Sequence, residues 1–322
     1  MELFLKIFNY LFSAIPLGVT FLYGSTGEIL TEKSGHLNLG IPGIMCVGTA
    51  SGCAALQLLI EAGVENPVLL VILGIIASFI GGALMGLIYS FLAVTMHANQ
   101  NVTGLALTTF GVGVMKFIMS KLMPVRYLTA IKYFRFPFAD NDTSLKYCGV
   151  MVFLGIAIAL ASSWVLFKTK VGLHLRAVGE NPATADAVGI NVTAYKYIAT
   201  CVGSGIAGLG GLCYVIDYSG SQEAYLSVEP LGWLSIALVI FALWRPHLSI
   251  LGSVVFGALF VAGSFIPDII PIPFLQSMQA APLMKMLPYV VTIIVLVVTS
   301  IRDKKENQPP ASLGMPYFRE ER

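Results

Sequence analysis

The chain has 322 residues, of which 57% are hydrophobic and only 11% are charged, and its mean hydropathy is +0.82. Soluble domains carry about 25% charged residues, so the composition excludes an ordinary soluble protein and predicts an integral membrane protein. The net charge is only +2, and this balance does not indicate a nucleic-acid partner.

Nine apolar runs are long enough, or nearly long enough, to cross a bilayer as helices, which takes about 20 residues each. They predict an all-α integral membrane protein, a polytopic bundle of about 8 to 10 transmembrane helices. Residues 1–301 would form a single transmembrane domain and residues 302–322 a cytoplasmic tail. The predicted spans are 3–24, 41–60, 67–96, 101–123, 147–167, 194–216, 230–244, 248–270 and 283–301.

A polar stretch punctuated by glycines, residues 27–40, separates the first two runs. Polar groups at membrane depth are costly and normally face protein or a water-filled cavity, and broken helices often line the substrate path of transporters. We therefore expect a broken helix, with Asn38 and Glu28 as candidate pathway residues. A re-entrant segment around 25–40 is one form of it. The alternative is a local charge cluster that stabilises a turn.

An amide-rich segment, residues 99–103, precedes the fourth run. Amides offer donors and acceptors, which suit hydroxyl groups and base edges, so Asn99, Gln100 and Asn101 are further pathway candidates. The structural alternative is that Asn101 or Thr103 serves as a helix N-cap.

Glycines recur in two of the spans, at Gly82 and Gly86 in the third run and throughout the run at 194–216. Small residues let helix backbones approach closely in a membrane. The pattern predicts close helix packing, either within this chain or between subunits.

Basic residues predict the orientation, because cytoplasmic loops are enriched in Lys and Arg. The loop 168–193 and the start of the tail are basic and are therefore predicted to be cytoplasmic. Four spans between them return the chain to the same side. Nine spans then place the N-terminus outside, and one added segment would place it inside. The aromatic and basic loop 124–146 would lie outside, as an amphipathic element at the interface.

The stretch 181–190 carries both the start and stop signals of a compact helix. Asn181 suits the N-cap, Pro182 the first helical position and Gly189 the C-terminal turn. The helix would have roughly two turns and be about 10 Å long. A short helix that is capped at both ends and lies at a membrane surface indicates a docking element for a partner; an ordinary helix connection is the alternative.

The sequence contains no phosphate-binding loop, no zinc-protease motif and no nucleophile elbow. If transport is driven by ATP, the ATPase must be a separate subunit. A membrane-embedded enzyme is disfavoured, because the chain offers neither a nucleophile–base pair nor a set of metal ligands.

Three segments resemble one family. The run RAVGENPATADAVGINV (176–192) is similar to the coupling-helix region of ABC transporter permeases of the simple-sugar and nucleoside importer group. The run GEILTEKSGHLNLGIPGIMCVGTA (27–50) resembles the other signature of that group. The tail PPASLGMPYFREER (309–322) resembles the end of the shorter permease of nucleoside importers.

The resemblance implies a permease subunit of an ATP-driven importer in the bacterial cytoplasmic membrane, forming part of the pathway for nucleosides. It implies three partners: a second homologous permease, a cytoplasmic ABC ATPase that binds ATP and Mg²⁺, and an extracytoplasmic substrate-binding lipoprotein. It implies no catalytic residue, metal or cofactor in this chain. The residues expected to couple to the ATPase are Arg176, Gly179, Glu180, Asn181, Pro182, Ala185, Gly189 and Ile190.

Other substrates and one other class stay open. Simple sugars such as ribose, or riboflavin, fit the same group, although ribose-type permeases typically carry an aspartate where this chain has Asn38. An ion-coupled secondary transporter is the alternative of another class. Such a carrier would need an acidic or histidine side chain deep in a span, and the acidic residues here fall near span ends.

Overall fold

A computed structural model describes residues 2–135, 149–269, 283, 286–302 and 308–318, which are almost entirely helical. π-Helical turns, Phe91–Thr95 and Cys213–Ser219, extend the third and tenth helices, and a 3₁₀ turn, Ala224–Ser227, precedes the eleventh. The helices are α1 (Glu2–Glu32), α2 (Ile41–Glu61), α3 (Pro67–Ser90), α4 (Gln100–Met119), α5 (Pro124–Leu128), α6 (Ile131–Phe134), α7 (Val150–Lys168), α8 (Lys170–Glu180), α9 (Pro182–Ala187), α10 (Val192–Leu212), α11 (Val228–Phe241), α12 (Pro246–Ile269) and α13 (Leu287–Arg302).

The predicted all-helical membrane bundle is confirmed. Seven of the described helices are long and apolar enough to cross a membrane: α2, α3, α4, α7, α10, α11 and α12. The two remaining predicted spans correspond to α1 and α13. The π-helical turn carries the third span to Thr95, so the long predicted run at 67–96 is a single continuous helical segment of 29 residues.

The loops gather at two ends of the bundle. At one end, which we call the α9 face, the turn after α1 meets the α8–α9 connection and the tail, since the amide of Gly314 donates to the carbonyl of Gly35. At the opposite end, the α2–α3 and α4–α7 connections meet, where Arg126 forms a salt bridge of 2.7 Å with Glu61. Successive spans alternate between these ends, and α1 therefore starts opposite the α9 face.

Helix α10 lies at the centre of the bundle, and most of its residues are buried. Its glycines meet the backbones of neighbouring helices: Gly203 faces Gly27 of α1, and Gly208 faces both Gly48 of α2 and Gly82 of α3. The predicted glycine packing is thus confirmed and lies within the chain.

The first break between spans differs from the prediction. Helix α1 runs without interruption through Gly27 to Glu32, and a turn and loop at 33–40 follow it. The predicted break at 25–40 is therefore confined to 33–40, because Gly27 serves close contact with α10 and does not break α1.

Helix α2 begins inside the bundle. Gly43, two residues into α2, contacts Gly111, which is eleven residues into α4. At 1.5 Å per residue the start of α2 lies about 13 Å deeper than the start of α4. Residues 36–40 consequently enter the bundle as non-helical backbone.

The outer loop packs more tightly than predicted. Its short helices α5 and α6 bury Tyr127 and Phe134 in the main core, and Gln57 accepts a hydrogen bond of 2.7 Å from the amide of Met123. The described part is thus a cap on the bundle rather than an element lying at the lipid interface, and residues 136–148 lie outside the described part. Asp217 is buried in the π-helical turn Cys213–Ser219 that extends α10.

Two glycines of α4 provide a matched test of the close packing. A methyl group on Gly111 would overlap the backbone of Gly43, whereas one on Gly113 would meet nothing within 4 Å. We expect Gly111→Ala to lower the unfolding free energy by about 1–3 kcal/mol, as overpacking typically does, and Gly113→Ala to keep or slightly raise it, because alanine is the better helix former. Thermal unfolding of the purified variants in detergent measures both, and equal melting temperatures would contradict the packing argument.

Candidate functional site

The predicted docking helix is present with the predicted caps. Asn181 Oδ1 accepts a hydrogen bond of 3.0 Å from the amide of Thr184, and Pro182 occupies the first helical position of α9. At the other end Gly189 has φ +87°, which favours glycine. The amides of Gly189 and Ile190 donate to the carbonyls of Asp186 and Ala185. The sequence signals therefore define a rigid element of six residues.

One side of α9 packs on its own chain. Ala185 is 2% exposed and lies with Val178 of α8 and Val192 of α10 in a small apolar cluster. Ile190 and Tyr317 pack against the same cluster. Ala185, one of the residues expected to couple to the ATPase, thus fixes α9 to the bundle and does not lie on its outer side.

The opposite side of α9 is open. Val188, 71% exposed, is the large apolar side chain at its tip. Ala183, Thr184 and Ala187 are exposed beside it. Sequence reasoning did not select Val188, because the signals that define a capped helix do not say which side faces outward.

The residues just before α9 likewise include some that pack on the chain and some that are exposed. Gly179 is buried, and a methyl group there would overlap the carbonyl of Lys33. The Arg176 guanidinium lies 5.3 Å from the centre of the Phe167 ring at the end of α7. Glu180 is exposed. Burial lowers the pKa of Lys33, and the nearby Glu180 carboxylate acts in the opposite direction.

Helix α8 itself was missed from the sequence. Thr169 caps it by accepting a hydrogen bond of 3.2 Å from the amide of Gly172. The available signal was a threonine at the boundary between an apolar run and an amphipathic stretch of 11 residues.

The tail joins three parts of the α9 face. Ser312 donates to the carbonyl of Gly179 through its amide at 3.1 Å and through its hydroxyl at 2.5 Å. The amide of Gly314 donates to Gly35, and the Tyr317 hydroxyl donates to Asp186 Oδ2 of α9 at 3.0 Å. The tail is therefore bound to the loop after α1, to α8 and to α9.

The predicted pathway residues Glu28, Asn38 and Gln100 meet at residues 36–40. Glu28 Oε1 accepts a hydrogen bond of 3.0 Å from the amide of Asn38, and Asn38 Oδ1 accepts one of 2.9 Å from Gly40. Gln100 Oε1 accepts one of 2.8 Å from the amide of Leu37. In this structure these side chains satisfy buried backbone that no helix satisfies.

Further partners of this loop come from residues that the sequence did not single out. The Tyr89 hydroxyl donates to the carbonyl of Leu37 at 2.7 Å, and the Thr108 hydroxyl donates to that of Leu39 at 2.9 Å. The Trp244 indole donates to the Glu32 carboxylate just before the loop. No local signal distinguished these residues from packing residues inside apolar runs.

The other two amides occupy different positions. Asn99 caps α4, accepting a hydrogen bond of 3.1 Å from the amide of Val102. Asn101 is exposed on the outer surface of α4. The cap is therefore Asn99, and not Asn101 or Thr103 as the structural alternative proposed. Whether Asn38, Glu28, Gln100 or Asn101 contacts a substrate stays a prediction.

Gly189 tests the stop signal of α9. A methyl group there would meet nothing within 4 Å, so a substitution acts only through its positive φ. We expect Gly189→Val to expose the amides of 189 and 190 to hydrogen exchange about tenfold faster, since left-handed backbone costs a β-branched residue about 1–2 kcal/mol. Gly189→Asn, which tolerates this conformation, should exchange like the parent. Hydrogen exchange measured by mass spectrometry gives these rates. Equal exchange rates in both variants would contradict the role of the positive φ.

Known proteins resemble the chain over most of its length. The family described as branched-chain amino acid transport system / permease component matches residues 7–296. The nucleoside ABC transporter permease protein NupC of Lactococcus lactis subsp. cremoris is 32% identical, over 89% of this chain and 90% of its own length.

Two further relatives match nearly the whole chain. The guanosine ABC transporter permease protein NupQ of Bacillus subtilis is 30% identical over 96% of this chain and 95% of its own length. The putative glucose ABC transporter permease protein TsgC13 of Haloferax volcanii is 28% identical over 96% and 97%. With a family match across residues 7–296 and the helical membrane bundle described above, the chain belongs to the family of ABC transporter permeases described as branched-chain amino acid transport system / permease component.

Proposed function

We propose that this chain is the permease subunit of a nucleoside importer. The observation that carries the proposal is its similarity, at 30% and 32% identity over most of the chain, to a guanosine permease and a nucleoside permease. The segment SLGMPY (312–317), which resembles nucleoside importers, supports the same substrate class. A sugar is the second candidate, favoured by the 28% identity to a putative glucose permease.

Membership of the family already fixes the coarser role. A permease of an ABC transporter sits in the cytoplasmic membrane, carries no cofactor and is not an enzyme. Its transport system includes an ATPase. The alternative of an ion-coupled carrier working alone is therefore not retained.

Helix α9 is the proposed contact with that ATPase. Its caps make it rigid, its inner side is fixed through Ala185, and its outer side presents Val188 and small residues to the exterior. A rigid element with a small apolar tip fits a groove at little cost in conformational entropy. Basic residues in the flanking loop support a cytoplasmic position for this face.

The route from α9 into the bundle follows the described contacts. Ser312 and Tyr317 connect the tail to Gly179 and to α9, and Gly314 connects it to Gly35. Closure of the ATPase would displace α9 and, through these contacts, the loop 33–40 that leads into α2. The two permeases would then rock between outward-open and inward-open states.

The outer surface of α4 is the proposed lining of the pathway. Asn101, Thr109 and Lys116 are all exposed there and fall within an arc of about 80°, at 100° per residue. Polar side chains on a span rarely face lipid, because the cost is several kcal/mol. We therefore place this surface toward the second permease and the substrate.

Uptake of labelled substrate tests the docking helix. The chain is expressed with its partner permease, ATPase and binding protein in cells that lack nucleoside uptake. We expect Val188→Asp to lower guanosine uptake by about tenfold or more, because an unpaired charge buried at an interface costs several kcal/mol. Val188→Thr, of similar shape, should retain uptake within about twofold. Normal uptake by the Val188→Asp variant at equal membrane level would argue against docking through α9.

The same cells test the substrate class. Unlabelled adenosine, uridine, ribose, glucose, riboflavin and leucine are offered as competitors of labelled guanosine. Competition by nucleosides alone supports the proposal, whereas glucose uptake by the full set without nucleoside uptake would replace it with the sugar importer.

Asn101 tests the pathway surface. We expect Asn101→Leu to raise the KM for guanosine uptake by about three- to tenfold, the loss of a hydrogen bond worth about 0.5–1.5 kcal/mol. Val102→Leu, at the neighbouring exposed position, is the control and should leave the KM unchanged. An unchanged KM in both variants would remove Asn101 from the pathway.

A further inference from the structure

A cavity of about 740 Å³ lies at the α9 face, beside the docking helix. The start of α10, the end of the α3 segment and the tail form its walls. This volume lies in the range of small-molecule sites, about 300–1,000 Å³. Gln100, Asp186 and Tyr317, which the function proposed above already uses, form part of its wall.

A buried cation forms part of the wall. Lys196 of α10 lines the cavity although the residue is only 3% exposed. Within the ranges that the structure describes, no carboxylate forms a salt bridge with its ammonium group and no acceptor forms a hydrogen bond with it. The acidic residue on the cavity wall, Asp186, accepts a hydrogen bond from Tyr317. A lysine that is buried along most of its length and has no carboxylate partner favours an anionic ligand in the cavity it lines.

The start of α10 adds a second source of positive potential. Asn191, Val192 and Thr193 open this helix of 21 residues and line the same cavity, one turn before Lys196. Asn191 Oδ1 already accepts a hydrogen bond of 3.0 Å from the amide of Ala194. The amides of 192 and 193, which no preceding helix carbonyl accepts, and the helix dipole make such a start attractive to phosphate and carboxylate groups. Lys196 and the α10 start therefore act on the same volume.

The rest of the cavity suits an organic group attached to the anion. The His97 and Phe318 rings line it, with their centres 4.6 Å apart, and Tyr317 lies beside Phe318. A phosphate group alone would occupy only a small part of the volume. Aromatic rings offer a surface for a base or another flat group.

We propose that this cavity binds a small phosphorylated molecule, whose phosphate group lies between the start of α10 and Lys196. Because Asp186 of α9 and Tyr317 of the tail form the rim, the bound molecule holds α9 against α10. The site thus links the position of the docking helix to the concentration of a phosphorylated solute at the α9 face. This inference does not depend on which substrate the importer carries.

Calorimetric titration of the purified full chain in detergent tests the site, with guanosine monophosphate, inorganic phosphate and guanosine as probes. We expect guanosine monophosphate to bind more tightly than phosphate, and guanosine to bind at least about tenfold more weakly than its monophosphate, since a charge-assisted contact is lost. Lys196→Gln should lower the affinity for guanosine monophosphate about tenfold. Lys196→Arg and the exposed control Lys170→Gln should change that affinity less than about threefold.

Hydrogen exchange on the unmodified chain provides a measurement that does not rely on any variant. Guanosine monophosphate should protect the amides of 192 and 193 and of 186–190. Three results would overturn the proposal: no binding of either phosphate probe at millimolar concentration, equal binding of guanosine and its monophosphate, or binding that Lys196→Gln leaves unchanged in a folded protein.

A fourth probe identifies the source of the phosphate group. Dihexanoyl phosphatidylglycerol carries the same group on a lipid head. Displacement of guanosine monophosphate by this lipid supports the phosphate site with the membrane as its source. If the lipid does not displace guanosine monophosphate, the result supports a phosphate site that takes a soluble metabolite. Neither titration requires transport, so failure here is distinguishable from failure of the importer proposal.

Discussion

The architecture depends on the close approach of α10 to its neighbours. In a membrane the hydrophobic effect does not draw helices together, so van der Waals contact between small residues must do so. Gly203 and Gly208 bring α10 against α1, α2 and α3 with no side chain between the backbones. The start of α10 in turn anchors α9, because Val192 contacts Ala185. Glycine packing in the bundle thus sets the position of α9 at its end.

A second constraint follows from the entry of residues 36–40 into the bundle. Backbone amides and carbonyls there lack helical partners, and at membrane depth they lack water as well. Glu28, Gln100 and Tyr89 supply the missing hydrogen bonds. The same chemistry that makes an amide or carboxyl suitable for substrate makes it suitable for holding a loop, and a sequence pattern alone does not separate the two uses.

Features that depend on neighbouring residues in the sequence were therefore predictable, whereas contacts between separate helices were not. Asn181, Pro182 and Gly189 act on backbone within a few residues of themselves, and the structure has all three as predicted. The spans followed from length and hydropathy. The inward orientation of Ala185 depends on Val178 and Val192, which belong to other helices, and the burial of the outer-loop aromatics depends on what lies beneath them. Neither contact leaves a periodic trace in the sequence.

The tail shows how a segment without secondary structure can matter mechanically. Ser312, Gly314 and Tyr317 bond to α8, to the loop after α1 and to α9 respectively. Three of the four bonds that these residues make go to backbone carbonyls, so they fix chain positions rather than side-chain conformers. Under the proposed docking role, a displacement of α9 would therefore reach the loop that leads into α2 through the tail, in addition to the start of α10 that Ala185 contacts. Under the proposed docking role of α9, rigid spans and a movable surface segment are compatible, because the tail and the contact of Gly179 with Lys33 lie outside the glycine-packed core.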